Sequence, residues 1–322
     1  MKVINITAKS TRDSVEKIQQ HIGGVISERF GLFTLDIDND IAKGCIRFIT
    51  FDWGVNLVEH NIIYYDDILL VSNTSKFNPL YFLYCSQGHL RHRFEHQDEF
   101  HLINEYHSAI LTTKQDVHHN LLFPKGIHLV INILGVERKK FLKKRLNYVS
   151  ELNESLHKVF VDNDHEDDYA FYGPIDIKME DIVKRLRNIS NDTITEALKI
   201  EGAIYQLLSM HIARHERLHQ GDIIPESLLK KELKKIHKYS KKIIKNPSYN
   251  YTLDQISKDT GLSQAKLQEG YRFLFARTVT EYIRHIRLET SLELMLTTDL
   301  NISEIVYSIG FTSRSYFSKI FK

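Results

Sequence analysis

Seven histidines fall between positions 89 and 119 of this chain: His89, His92, His96, His101, His107, His118 and His119. Clustered imidazoles can bind a transition metal or move protons. A metal triad completed by a carboxylate on a small β-barrel needs two histidines one residue apart, with a glutamate a few residues on. His89, His92 and His96 lack that spacing. His92 and His96 would share a helix face, but their segment reads as strand, so ordinary surface or cross-strand histidine is the favoured reading. Trp53, Phe48 and Phe82 could line a ligand pocket, with core packing favoured. The second set of chemically capable residues is cationic. Ser227 to Lys322 carries 17 Lys and Arg against 9 Asp and Glu, a surplus of +8, while Met1 to Glu226 carries −6. A basic segment joined to an acidic one is the footprint of a polyanion binder attached to something else.

These residues need a scaffold, and 322 residues suffice for two domains with separate cores. Hydrophobic residues are 42% and charged residues 26%, a globular composition. No apolar run approaches the roughly 20 residues that span a bilayer, and Met1 to Asp13 is no secretion signal. Cys45 and Cys85 make neither a disulfide framework nor a zinc ligand set. A soluble, cytoplasmic protein without metal or cofactor is the expectation.

Residues 1–135 read mainly as strands, after a helix over Arg12–Ile22 that ends at Gly23-Gly24. The strand candidates are Cys45–Phe51, Val55–Tyr65, Ile68–Val71, Leu80–Cys85, His101–Tyr106, Ala109–Thr112 and Ile127–Leu134. Turn signals such as Asp66-Asp67, Ser75 to Pro79 and Gln87-Gly88 separate them. Many short strands at this spacing predict a small barrel or sandwich. Residues 136–224 read as helices over Glu137–Tyr148, Glu151–Phe160, Lys178–Ile189 and Thr193–His219, with an acidic loop at Asp162–Asp168 and a break at Gly173-Pro174. Gly221 to Pro225 reads as a linker.

Everything from residue 225 to 322 reads as helix and short turn. Leu229, Leu233, Ile236 and Ile243 form an apolar stripe, with Lys231, Lys235, Lys238, Lys242 and Lys245 on another face. Asn246-Pro247-Ser248 ends that helix. A helix from Thr252, a turn at Gly261 and a helix capped by Ser263 then make a helix-turn-helix, 253–275. The pattern returns over 302–322. Ile302, Ile305 and Gly310 lie 49 residues after Leu253, Ile256 and Gly261, and Ser313 and Phe317 lie 50 after Ser263 and Leu267. Such a repeat implies two helix-turn-helix units bridged by a long helix, Val279 to Leu296.

Leu253 to Phe275, Thr278 to Leu296 and Ile302 to Phe321 together resemble the AraC/XylS family of transcription regulators. Tyr282-Ile283, Arg287-Leu288, Gly310-Phe311, Phe317 and Phe321 agree with its pattern. Lys266-Leu267-Gln268 with Gly270-Tyr271 looks most similar to the siderophore-responsive subgroup. The resemblance implies an α+β chain: a cupin-like effector domain (1–135), a helical linker for dimerisation (136–224) and an all-α DNA-binding domain (225–322). It implies double-stranded DNA, a small-molecule effector, RNA polymerase and a second copy of the chain as partners, with activation as the outcome. Two departures stand out. Ser291 replaces a small apolar residue, and the family pattern runs about a dozen residues past Lys322, so the second unit is expected to be short or truncated.

A recognition helix places its amino-terminal part in the major groove. In the first unit the outward positions are Gln264, Ala265, Gln268 and Glu269. Gln268 suits adenine, Ala265 a thymine methyl and Glu269 cytosine, although the family often has a basic residue at that last position. In the second they are Arg314, Ser315, Ser318 and Lys319, of which Arg314 and Lys319 suit guanine or phosphate. Lys242, Lys245, Arg284 and Arg287 are candidates for phosphate contact, with an intramolecular partner as the alternative for Arg287. Two other readings stay open. One is a metal-dependent cupin enzyme fused to a helical domain, and the other an architectural DNA binder without effector.

Overall fold

The computed structural model describes the chain except residues 8, 9, 73–78, 144–148, 163, 165, 191, 221–227 and 322. The chain divides into two compact units, Met1–Asp222 and Ile223–Lys322.

The first unit is built on two sheets. The smaller joins β1 (Lys2–Ile6), β6 (Ile68–Ser72), β11 (His119–Phe123), β8 (His89–Phe94) and β9 (His101–Asn104) in that order. The larger runs β13 (Tyr169–Gly173), β10 (Ser108–Thr112), β7 (Leu80–Gln87), β12 (His128–Val136), β5 (Val55–Tyr64), β4 (Ala42–Thr50), β3 (Leu32–Asp38) and β2 (Val25–Arg29). They are two open sheets, so the expected cupin-like closed barrel gives way to the sandwich alternative. Strand β5 shows why the layers form. Val55, Leu57 and Glu59 are buried on one face, and from His60 onward the buried set passes to the other face with Ile62 and Tyr64, so each face is covered along part of the strand. Ile4, Ile62, Leu83, Ile103, Leu121 and Ile131 meet in one apolar cluster with Val15, Ile18 and Ile22 of α1 (Thr11–Ile22).

Residues 136–224 are not helical throughout. After α2 (Arg138–Leu142) and α3 (Glu154–Val161), strand β13 returns to the large sheet and pairs antiparallel with β10, Ile110 opposite Phe171. Helices α4 (Lys178–Asn188) and α5 (Ile194–His219) follow. Residues 144–148 of the expected Glu137–Tyr148 helix, 163 and 165 of the acidic loop, and the expected Gly221–Pro225 linker lie outside the described residues.

The second unit holds α6 (Lys230–Lys245), α7 (Leu253–Thr260), α8 (Gln264–Phe275), α9 (Val279–Thr297), α10 (Ile302–Ser308) and α11 (Arg314–Ile320). Each of α7 to α11 begins with a side-chain cap: Thr252, Ser263, Thr278, Asn301 and Ser313 accept backbone N–H groups of the first turn. Ser291, the departure on α9, is fully buried and donates its hydroxyl to Leu288 O at 2.7 Å, so its polarity is satisfied within the helix. Ile305, Val306, Ile309, Phe311 and Phe317 form a cluster with Leu288, Leu294 and Met295 of α9.

Candidate nucleic-acid interface

Helices α7 and α8 form one helix-turn-helix, and α10 and α11 the other. Gly261 closes α7 in the left-handed region, φ +67, and its N–H donates to Ser257 O at 2.9 Å. Gly310 takes the same role after α10 with φ +86, and it is tighter. A Cβ there would stand 2.6 Å from Ser248 O, so the loop after α6 leaves no room for a side chain.

On α8, Leu267, Gly270, Tyr271 and Leu274 are buried, which turns residues 264, 265, 268, 269 and 272 outward. Gln264 and Ala265 are exposed, and the Gln264 amide donates to Asp254 on α7. Gln268 and Glu269 are half-buried. The Gln268 Oε1 accepts the Val279 N–H at 3.1 Å, at the first residue of α9. On α11 only Phe317 is buried, and Arg314, Ser315, Ser318 and Lys319 are all exposed. Ser313 Oγ accepts the Tyr316 N–H at 3.2 Å and fixes the start of this helix.

The expected phosphate set separates in the same way. Lys245 is exposed at the end of α6. Lys242 is exposed too, but its ammonium pairs with Asp259 at 3.2 Å and lies 4.9 Å from the Tyr239 ring centroid. Hydrogen bonds from Tyr239, Lys242 and Gln255 hold the Asp259 carboxyl below its ordinary pKa. Lys235, on the same face, donates to Thr260 O at 2.8 Å, so two of the five lysines tie α6 to α7. Arg284 is half-buried on α9. Arg287 is occupied within the protein. It donates to Pro247 O at 2.9 Å and Tyr249 O at 3.0 Å, with its guanidinium 5.6 Å from the Phe311 ring centroid. One residue escaped the sequence reading: Arg272 is exposed on α8, one turn past Gln268 on the same face. The i, i+4 spacing was the available signal.

In the first unit His92 and His119 come together on neighbouring strands β8 and β11, as a diagonal cross-strand pair with His92 Nε2 3.2 Å from His119 Nδ1. His96 instead approaches Asp168 at 3.6 Å, and His118 pairs with Glu95 at 2.7 Å. Phe82 packs on Phe160, while Trp53 stacks on Tyr205 and donates to Glu201 Oε1 at 2.8 Å. Phe48 lines a cavity of ≈ 440 Å³. None of the described helices is long and apolar enough to cross a membrane.

Residues 256–322 match a protein-family profile described as a helix-turn-helix domain. The chain is 35% identical over 101 residues to Histidine kinase P4 of Formosa agariphila, covering 31% of this chain and 7% of that protein. It is 24% identical over 142 residues to the HTH-type transcriptional regulator MtrA of Neisseria gonorrhoeae, covering 44% of this chain and 47% of that one. It is 33% identical over 70 residues to the regulatory protein SoxS of Salmonella typhimurium, covering 22% and 65%. The chain thus spans less than two thirds of each of these relatives. The matched segment is thus a helix-turn-helix domain, and two of these three relatives carry the names of gene regulators.

Proposed function

We propose that this chain, with its AraC-type helix-turn-helix domain, is a sequence-specific transcription regulator that reads double-stranded DNA through α8 and α11. The observation that carries the reading is the paired outward face. Two serine-capped helices, each after a glycine turn, bury one side on a core and leave a short polar side open at the amino end. A major groove admits such a helix, and two in one unit fit successive groove segments.

In this reading Arg314, Lys319, Ser315 and Ser318 meet bases or phosphates on one segment, and Gln264, Ala265 and Glu269 on the other. Lys245, Arg272 and Arg284 supply charge toward the backbone, and Gln268 and Arg287 position the helices. The first unit takes up a small-molecule effector that shifts the population competent for DNA. A second copy of the chain and RNA polymerase complete the assembly, with activation as the outcome. The Lys266–Gln268 run with Gly270-Tyr271 supports placement near the siderophore-responsive subgroup.

The test is selection from a pool of random duplexes with the full chain. One enriched motif is expected. A pool that stays random through repeated rounds would overturn sequence-specific reading.

A further inference from the structure

The cavity that Phe48 lines belongs wholly to the first unit, and at ≈ 440 Å³ it has the size of a small-molecule site. Ile18, Leu57, Leu83, Leu121 and Ile133 also form its wall, so a ligand would be held mainly by apolar contact. Its charged lining residues, Glu137 and Lys140, pair with each other at 2.8 Å and have side chains 27% and 53% exposed. The buried polar part of the wall includes His60 and His119.

His119 ends a chain of three groups. The Tyr172 hydroxyl lies 2.8 Å from His92 Nδ1, and His92 Nε2 lies 3.2 Å from His119 Nδ1. His119 Nε2 is buried and has no hydrogen-bond partner among the described residues. A buried polar atom left unpaired costs free energy that a ligand can recover. Burial favours neutral rings, driving His119 well below its ordinary pKa and His92 down to about 3. A neutral imidazole carries one proton, so the chain can be polarised in two senses. When Tyr172 donates to His92 Nδ1, His92 donates to His119 Nδ1, and His119 Nε2 is left as a donor. When His92 Nδ1 donates to Tyr172, His119 Nδ1 donates to His92, and His119 Nε2 is left as an acceptor.

We propose that this cavity binds a small, largely apolar molecule with one neutral hydrogen-bonding head, a carbonyl or a hydroxyl, and that His119 Nε2 takes that head. The two polarisations serve the two heads: donor for a carbonyl, acceptor for a hydroxyl. A carboxylate head would enter this wall without a free counter-charge and lose its hydration. The proposal names the effector class and therefore rests on the regulator reading above.

The test uses the full chain and one ring system with four heads: naphthalene, 2-naphthol, 2-acetonaphthone and 2-naphthoate, measured by equilibrium dialysis at neutral pH. Saturable 1:1 binding is expected for the alcohol and the ketone, about tenfold tighter than for naphthalene, as one net hydrogen bond allows. The naphthoate should bind more weakly than either. His119→Phe should bring the alcohol and ketone down to the naphthalene value, and His119→Gln should restore part of the difference. No saturable binding in the wild-type chain, or the naphthoate binding tightest, would overturn the proposal whatever the variants do. Duplex binding is measured on the same preparation. Duplex binding without probe binding sinks only this site, whereas probe binding without duplex binding sinks only the regulator reading.

Discussion

The side-chain carbonyl of Gln268 accepts the backbone N–H of Val279, at 3.1 Å, so a residue of α8 supplies an acceptor to the first turn of α9, the helix that links the two helix-turn-helix units. The first N–H groups of a helix have no partner inside it, and a side-chain acceptor there stabilises by about 1 kcal/mol. Gln268→Ala should therefore lower the melting temperature and weaken selected and scrambled duplexes alike. Gln268→Glu keeps the acceptor and should recover stability. A loss confined to the selected duplex, with melting unchanged, would return Gln268 to a base-reading role.

The two turn glycines should separate in the same kind of experiment. A Cβ at Gly261 would meet Lys235 Nζ at 3.7 Å, an ordinary contact, so alanine costs mainly the left-handed backbone, about 1–2 kcal/mol. Gly310 adds the clash with the Ser248 backbone, so Gly310→Ala should melt distinctly lower than Gly261→Ala. Equal melting temperatures would mean that the loop after α6 yields.

Arg287 and Lys245 divide the expected phosphate contacts. Arg287→Ala removes two hydrogen bonds to the Pro247–Tyr249 loop and should lower stability while leaving the salt dependence of duplex binding unchanged. Lys245→Ala should leave stability alone and reduce the log–log salt slope by about one. Duplex titrations at several salt concentrations, with melting curves, check both; exchanged outcomes would contradict the assignment.

Acid should destabilise the first unit well before its carboxylates protonate. Burial lowers His60 to about 4 and His211 to about 3, and burial with the nearby His101 lowers His92 to about 3. In the unfolded chain these imidazoles return to about 6.5, so the unfolded state binds more protons below that pH. Their contribution is complete above pH 6.5 and is lost as pH falls toward 3–4, by about 1.4 kcal/mol for each group between pH 7.5 and 5.5. Melting at those two pH values checks it; a melting temperature that holds or rises in acid would contradict it.

The second unit was legible because its signals are local. Caps, glycines and apolar spacing all act within a few residues, and Ser263, Gly261, Ser313 and Gly310 stand where that spacing puts them. The first unit was less so, since strand pairing is made at a distance. Strand β13 lies between predicted helices, and the largely exposed β2 (Val25–Arg29) lacks any core-facing alternation. The partner of Gln268 was hidden for the same reason, and for Arg287 an intramolecular role could be named as an alternative but not its partners. Each depends on where another helix or loop comes to rest, which no spacing within α8 or α9 records. The His92–His119 pair needed the register of β8 against β11.

The central claim, a protein that binds duplex DNA through charge and reads it through α8 and α11, is tested most directly by one titration. The full chain is titrated with the selected duplex and with a scrambled one across a range of salt concentrations. With about five phosphate contacts the affinity for both should fall with a log–log slope near −4 to −5. The selected duplex should stay tighter throughout, and Arg314→Ala should remove about 1–3 kcal/mol of that preference. A flat salt response, or equal affinity for the two duplexes at every salt concentration, would contradict the account.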